Sequence, residues 1–233
     1  QVVGRTQADG RCSVSLRVLI ACEESQTVCK AFRKLGHEAY SADIQECSGG
    51  HTEWHIQGDV LSILNDGWDL MIGHPECRYL CLSGARWFDH PDYPDREQDF
   101  EQAIRFFKAL QNANIPRIAL ENSQPLGRTI QQVGRPTQCV QPWHFGDNRT
   151  KGCYLWLKNL NPLVTTHDHG DYDEPPKPEV HYASPGPERS KIRSKFPQAI
   201  AEQMALQWGD GQIPEFTKGL FAEYNSNHEG SAV

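Results

Sequence analysis

The chain has 233 residues, 38% of them hydrophobic, with 23 basic against 30 acidic side chains and a net charge of −7. That length suits one α/β domain with appendages, burying roughly 70% of its unfolded surface, and the acidic balance excludes a protein that coats nucleic acid through its whole surface. Eight cysteines spread through an ordinary core composition read as reduced thiols rather than a disulfide framework, and without a long apolar run or a signal-peptide layout the expectation is a soluble, cytoplasmic protein.

Residues 1–15 show no periodicity and read as a disordered extension. Arg17-Val-Leu-Ile-Ala-Cys22 is short, apolar and β-branched, the pattern of a buried strand. A helix follows, capped by Ser25, with Val28, Ala31, Phe32 and Leu35 on one face and Gly36 ending it. Glu38–Asp43 is the second strand, and the βαβ unit so formed calls for a parallel sheet. His55–Asp59 is a weak third strand, Val60–Leu64 a short helix and Asp69–Gly73 a fourth strand. A loop from Tyr79 to Asp95 leads into the strongest helix signal, Arg96–Ala113, with Phe100, Ile104, Phe107 and Leu110 as its apolar stripe. Arg117–Glu121 is the fifth strand. Cys139–Phe145 and Gly152–Leu157 read as two strands joined by a polar turn, an antiparallel edge. Residues 159–187 read as loop, and Phe196–Trp208, entered through Pro197 and packed through Ile200, Met204 and Leu206, closes the fold as a helix. Residues 210–233 read as a frayed tail.

Two of the apolar runs end in reactive groups. Asp69-Leu-Met-Ile leads into Gly73-His74-Pro75-Glu76-Cys77, and Arg117-Ile-Ala-Leu into Glu121-Asn122, so a thiol and a carboxylate both emerge at strand ends, where open α/β sheets bind ligands. A thiolate that attacks an aromatic ring, beside a carboxylate that protonates or grips it, is what adding a one-carbon group to a pyrimidine carbon requires. Asp43 and Asp59 end the second and third strands, where a carboxylate accepts hydrogen bonds from a ribose or an adenine amino group, or else caps a turn. The loop Cys22-Glu23-Glu24-Ser25 has no glycine, which disfavours a pyrophosphate. Its acidity suits a cofactor with positive charge, such as a sulfonium, and equally suits a helix start. The pairs His51/His55, Cys77/Cys81 and His167/His169 do not form two matched sets at zinc spacing, so no metal is expected. Trp87 and Phe88 are candidates for stacking on a base, and Arg128, Arg135 and the cluster Arg189, Lys191, Arg193 and Lys195 for touching phosphates.

The order Arg17–Cys22, Asp43, Gly58-Asp59, His74-Pro75-Glu76-Cys77, Leu120-Glu121-Asn122 and Asp147-Asn-Arg149-Thr-Lys151 resembles the DNA cytosine-5 methyltransferases, particularly the compact phage-type members. The resemblance spans roughly residues 17–209. It implies a Rossmann-like α/β fold using S-adenosyl-L-methionine (SAM) or a derivative of it, a mostly parallel sheet with antiparallel edge strands, and helices on both faces. It implies one catalytic domain over 16–209 with a minimal target-recognition insert near 159–190. Cys77 would attack C6 of a cytosine flipped out of DNA, Glu121 would contact N3 and the exocyclic amine, and Arg149 would help hold the base. The cofactor would lie among Cys22, Glu23, Asp43, Ile44, Asp59, Val60 and Pro75, and substrate contacts would include Glu76, Arg78, Asn122 and Lys151. A cytoplasmic setting in a phage-infected or prophage-bearing bacterium is implied, with no membrane or obligate protein partner.

Two positions depart from that pattern. Glu76 replaces the second proline of Pro-Pro-Cys, and Glu-Asn-Val becomes Glu121-Asn122-Ser123. Glu76 sets a negative charge beside the nucleophile, which raises a thiol pKa unless a cation such as Arg78 offsets it. Arg78 and Arg86 also leave room for transfer of a substituted methyl, such as carboxymethyl, whose carboxylate an arginine would hold. The same residues suit a modifier of pyrimidine nucleotides, and the acidic surface suits a catalytically silent relative that binds DNA or a protein.

Overall fold

The computed structural model describes residues 5–6, 12–13, 15–178 and 195–210. Within the expected extension, Arg5–Thr6 (β1) pairs antiparallel with Cys12–Ser13 (β2). Arg17–Ala21 (β3), Glu38–Asp43 (β4), His55–Gln57 (β5), Leu70–Gly73 (β6) and Arg117–Asn122 (β7) form the parallel part of a seven-stranded sheet. Its order continues through Cys153–Lys158 (β9) to Gln138–Val140 (β8) at the edge, and both β9 pairings are antiparallel.

Alternation along the strands makes two cores. Val18, Ile20, Leu70 and Ile72 face Thr27–Lys34 (α1) and the closing helix Gln198–Met204 (α4) through Phe32, Ile200 and Met204. Leu19, Met71, Ile118 and Leu120 face the other way, against Phe100, Ile104, Phe107 and Leu110 of Arg96–Gln111 (α2). Helices thus cover both faces, as a sheet buried on both sides requires. The result is the expected Rossmann-like α/β fold with an antiparallel edge. No helix among the described residues is long and apolar enough to cross a membrane.

Four expectations are corrected. Ser25 does not cap α1: Gln26 holds the cap position at φ 58°, and the buried Glu23 carboxylate instead accepts from Val28 N at 2.7 Å and Cys29 N at 3.2 Å. A helix unseen in the sequence, Gly127–Val133 (α3), follows β7. It starts on a glycine without a side-chain cap and has seven residues, too few for a legible stripe. The strand expected over 139–145 stops at Val140, because Pro142 opens a 3₁₀ turn, Pro142–Phe145. At the end of α4 a π turn, Ala205–Gly209, rotates the face, so Leu206 is 38% exposed while Gln207 and Trp208 are buried. The tail, the extension apart from β1 and β2, and Arg189, Lys191 and Arg193 lie outside the described residues.

Gly73 ends β6 in a crowded place. A Cβ there would stand 2.7 Å from Leu120 Cδ2 and 3.7 Å from both Ala21 Cβ and Leu110 Cδ1. Leu120 is fully buried and has little room to yield. Gly73→Ala is expected to destabilise the fold by about 1–3 kcal/mol, read as a lower melting temperature; an unchanged melt would contradict this packing.

Candidate active site

The five parallel strands place their carboxyl ends on one edge, and the chain reverses its direction of sheet growth at β3, with β4 on one side and β6 on the other. Ligands bind at such a switch point. The loops that meet there are Cys22–Gln26 after β3 and His74–Cys77 after β6, and His74 N donates to Ala21 O at 2.9 Å.

The second loop is built as a platform. Leu80 N and Cys81 N both donate to Cys77 O at 3.1 Å, turning the chain. Leu82 N then donates to Gln124 O, and Leu126 N to Leu80 O, each at 2.9 Å, which ties the Cys77 loop to the segment after β7. The buried Arg96 guanidinium reaches Arg78 O and, at 3.2 Å, Gly84 O, and stacks 4.5 Å from the Tyr79 ring. Asn122, expected at the substrate, is instead buried and donates through Nδ2 to Pro75 O at 2.9 Å. It holds the loop in place.

Cys77 is exposed. Its thiol is pushed up by the neighbouring Cys81 first, then by desolvation and the charge of Glu121, while a hydrogen bond with Ser123 acts the other way. Because the residue is exposed, the Cys81 contact rather than burial is the decisive cause. Cys81 is buried, and the hydrogen bond from Cys77, helped by the Ser83 hydroxyl at 3.0 Å and the Ser83 and Gly84 amides, pulls its thiol down despite desolvation. The two sulfurs form one titrating unit in which Cys81 is the more acidic. The departure at Glu76 is neutralised locally: Arg78 Nε lies 3.1 Å from Glu76 Oε1.

Glu121 faces His74, with Oε2 3.2 Å from Nδ1 and side-chain exposures of 12% and 11%. Desolvation pushes this carboxyl up, but the His74 hydrogen bond and charge, Lys151 and Cys153 together outweigh it and hold it below the usual carboxylate value. Lys151 is thus placed to act on Glu121, and its Nζ donates to Lys195 O at 2.7 Å. Arg149 is gripped by Asp147, its Nε 2.7 Å from Asp147 Oδ1, and its backbone bridges Lys177.

At the other end of the crevice Cys22, Asp43 and Asp59 converge. Desolvation, then the charges of Asp43 and Asp59, push the Cys22 thiol up to about 12. Each aspartate also caps a turn, Asp43 Oδ1 accepting from Gln45 N and Asp59 Oδ1 from Leu61 N, both at 2.9 Å. Ile44, next to Asp43 in the chain, is an apolar residue left 76% exposed. Val60 and Glu23, expected at the cofactor, point elsewhere: Val60 packs in the core and Glu23 caps α1. Pro75 is buried and contributes its carbonyl to Asn122.

Several candidates for nucleic-acid contact serve the fold. Arg128 pairs with Glu97 through Nη1 at 2.9 Å and lies 4.0 Å above the Phe100 ring, and Phe88 packs edge-on against Phe100 at 5.9 Å. Trp87, half-buried, carries Arg86 at 4.5 Å and touches His90 and Tyr93. Sequence reasoning assigned no role to His74, Cys81, Ser123 or Cys153. His74 had a signal, since it lies inside the reactive pentapeptide. Cys153 had none, because only the β7–β9 register brings it to Glu121.

No family profile matches the chain, and no curated protein is similar to it in sequence. Among solved structures it is similar to a protein described as a DNA modification methyltransferase encoded within an E. coli prophage, at 16% identity and TM-score 0.39, over 64% of this chain and 53% of that one. It is also similar to the Dnmt2 methyltransferase of S. pombe, at 14% identity and TM-score 0.41, over 69% of this chain and 55% of that one. Both likenesses are distant. The chain spans about half the length of either protein.

Proposed function

We propose that the chain is a SAM-dependent enzyme that modifies C5 of cytosine in DNA through a covalent bond between Cys77 and C6. The observation that carries this reading is the placement of an exposed thiol, Cys77, on the loop after β6 and a nearly buried carboxylate, Glu121, at the end of β7, with that loop tied to the segment after β7. The collinear motifs that resemble cytosine-5 methyltransferases supply the choice of base and polymer.

The residues present fit the cofactor. Asp43 and Asp59 offer carboxylate oxygens to hydroxyl or amino donors, Ile44 offers an exposed apolar face, and no glycine-rich cradle for a pyrophosphate is present. When bound, SAM supplies an electrophilic methyl group on a sulfonium. Asp43→Asn is expected to weaken SAM binding about tenfold, as measured by calorimetry, with the melting temperature of the free protein little changed; equal affinity would remove Asp43 from the cofactor site.

The chain's own residues prepare the base. Cytosine C5 is a poor nucleophile until sulfur adds at C6 and N3 takes a proton. Cys77 forms the C6–S bond, its proton passing along their hydrogen bond to Cys81, which is held as the thiolate on the same turn. Glu121, ionised at rest, relays a proton to N3. Once C5 has accepted the methyl group, a water molecule takes the C5 proton, the Cys77 thiolate leaves C6, and N3 returns its proton to Glu121, which restores the neutral ring. Lys151 lies near the same carboxylate and steadies its negative form. A plain methyl is favoured over a carboxylated group because Arg78 is already paired with Glu76. Incubation with SAM and unmodified DNA, followed by mass spectrometry of the nucleosides, tests the function: 5-methylcytosine is expected, and an unmodified digest overturns it.

A further inference from the structure

We propose that His74 is the positioning residue that keeps Glu121 supplied with the proton it gives to N3, so that the two side chains work as one dyad. The proposal rests on the cytosine reading above and adds to it a role for a residue that touches no substrate.

The chemistry of the facing groups requires a donor. N3 of neutral cytosine is an acceptor, and an ionised carboxylate is also only an acceptor. Two acceptors cannot bond, so the proton that joins them has to be stored beside the carboxylate. His74 is the group in that position. Its Nδ1 stands 3.2 Å from Glu121 Oε2, both side chains are close to nine-tenths buried, and the Phe196 ring lies against the imidazole at 4.6 Å. Among the described residues its Nε2 is buried without a hydrogen-bond partner, so the contact with Glu121 is the one its ring nitrogens make there. The loop that carries His74 is fixed at both ends, by His74 N on Ala21 O and by Asn122 on Pro75 O.

Among the described residues a small set of titratable groups faces the dyad. Glu23 lies close enough to feel a positive His74, and Cys77, Lys151 and Cys153 face Glu121. Burial and the Glu121 charge push the Cys153 thiol far up, so it does not release its proton. In the step itself the proton on His74 Nδ1 moves to Glu121 Oε2, and the carboxylic acid so formed then yields a proton to N3. Imidazolium, carboxylate and cytosine become imidazole, carboxylate and N3-protonated cytosine, as sulfur adds at C6. Charge and protons balance without an outside reagent.

The test is a pH profile of single-turnover methyl transfer from radiolabelled SAM to amplified, hence unmodified, bacterial genomic DNA, for wild type and His74→Asn. The asparagine amide replaces the Nδ1–H donor but stores no titratable proton. The variant is expected to bind SAM with unchanged affinity by calorimetry and to lose about 100-fold in rate at neutral pH. Its rate is expected to climb about tenfold per unit as pH falls from 8 to 6, since Glu121 then draws its proton from solvent, a profile that differs from that of wild type. A variant with the wild-type rate and profile overturns the role, and so does one whose loss is the same at every pH, which marks a structural part only. Where H74N melts early, His74→Gln is read in the same way. A folded wild type that transfers nothing to DNA overturns the cytosine reading itself and this role with it; an active wild type beside an unchanged H74N overturns the role alone.

Discussion

Cys77→Ser is expected to abolish the proposed modification of cytosine, lowering single-turnover transfer by about three orders of magnitude or more, while SAM affinity and the melting temperature stay close to wild type. The separation is expected because Cys77 is exposed at a loop, where a serine costs the fold little. Cys81 gives the contrasting control. It is buried, paired with Ser83 and part of the turn that presents Cys77, so its replacement changes both the fold and the acidity of the pair. Equal rates for wild type and C77S would leave no covalent mechanism to defend.

Glu121→Gln is the second large effect. A glutamine donates a hydrogen bond but no proton, so transfer is expected to fall by 10²–10⁴-fold, roughly the range of a lost general acid. Stability also changes, with a definite sign. The Glu121 carboxyl is held below its usual value in the folded chain by His74, Lys151 and Cys153 acting against desolvation. Its ionised form therefore stabilises the fold above the ordinary carboxylate pKa of about 4.3, and that contribution is lost as pH falls through the lower folded value. E121Q is expected to be less stable than wild type by about 1–3 kcal/mol near neutrality, with the gap closing in acid. Denaturant midpoints at neutral and acid pH check this, and a gap that widens in acid would contradict it.

Much of this architecture is written in local pattern. The strand at 38–43 and the stripe Phe100, Ile104, Phe107 and Leu110 appear where periodicity puts them, because both elements bury what their spacing exposes to a core. The elements that escape lack such a pattern. Helix α3 starts on Gly127 and is fixed by tertiary bonds such as Thr129 Oγ1 to Leu80 O at 2.8 Å, which no local window contains. A regular helix would put Leu206 on the packed face, and the π turn moves it out.

The site divides in the same way. Cys77 and Glu121 stand out as candidates because a polar reactive residue directly after an apolar strand has few structural reasons to be there. Glu23 does not, for lack of information about direction: an acidic residue before a helix serves a ligand or the helix, and here it serves the helix amides. Asn122 misleads for a related reason, since its neighbour Glu121 faces the crevice and Asn122 points the opposite way along the strand. The pairing of Glu76 with Arg78 can be anticipated as a charge offset, but the Glu121–His74 contact joins residues 47 apart and needs the β6–β7 register.

The most direct measurement is covalent trapping on DNA that contains 5-fluorocytosine, in the presence of SAM. Fluorine at C5 cannot leave as a proton does, so the enzyme stalls with sulfur still bound to C6. A stable protein–DNA adduct that forms with wild type, requires SAM, is absent in C77S and maps to the Cys77 peptide by mass spectrometry is the expected result. A chain that methylates ordinary cytosine yet leaves 5-fluorocytosine DNA free of adduct, or an adduct at another residue, would contradict the assignment of Cys77 as nucleophile.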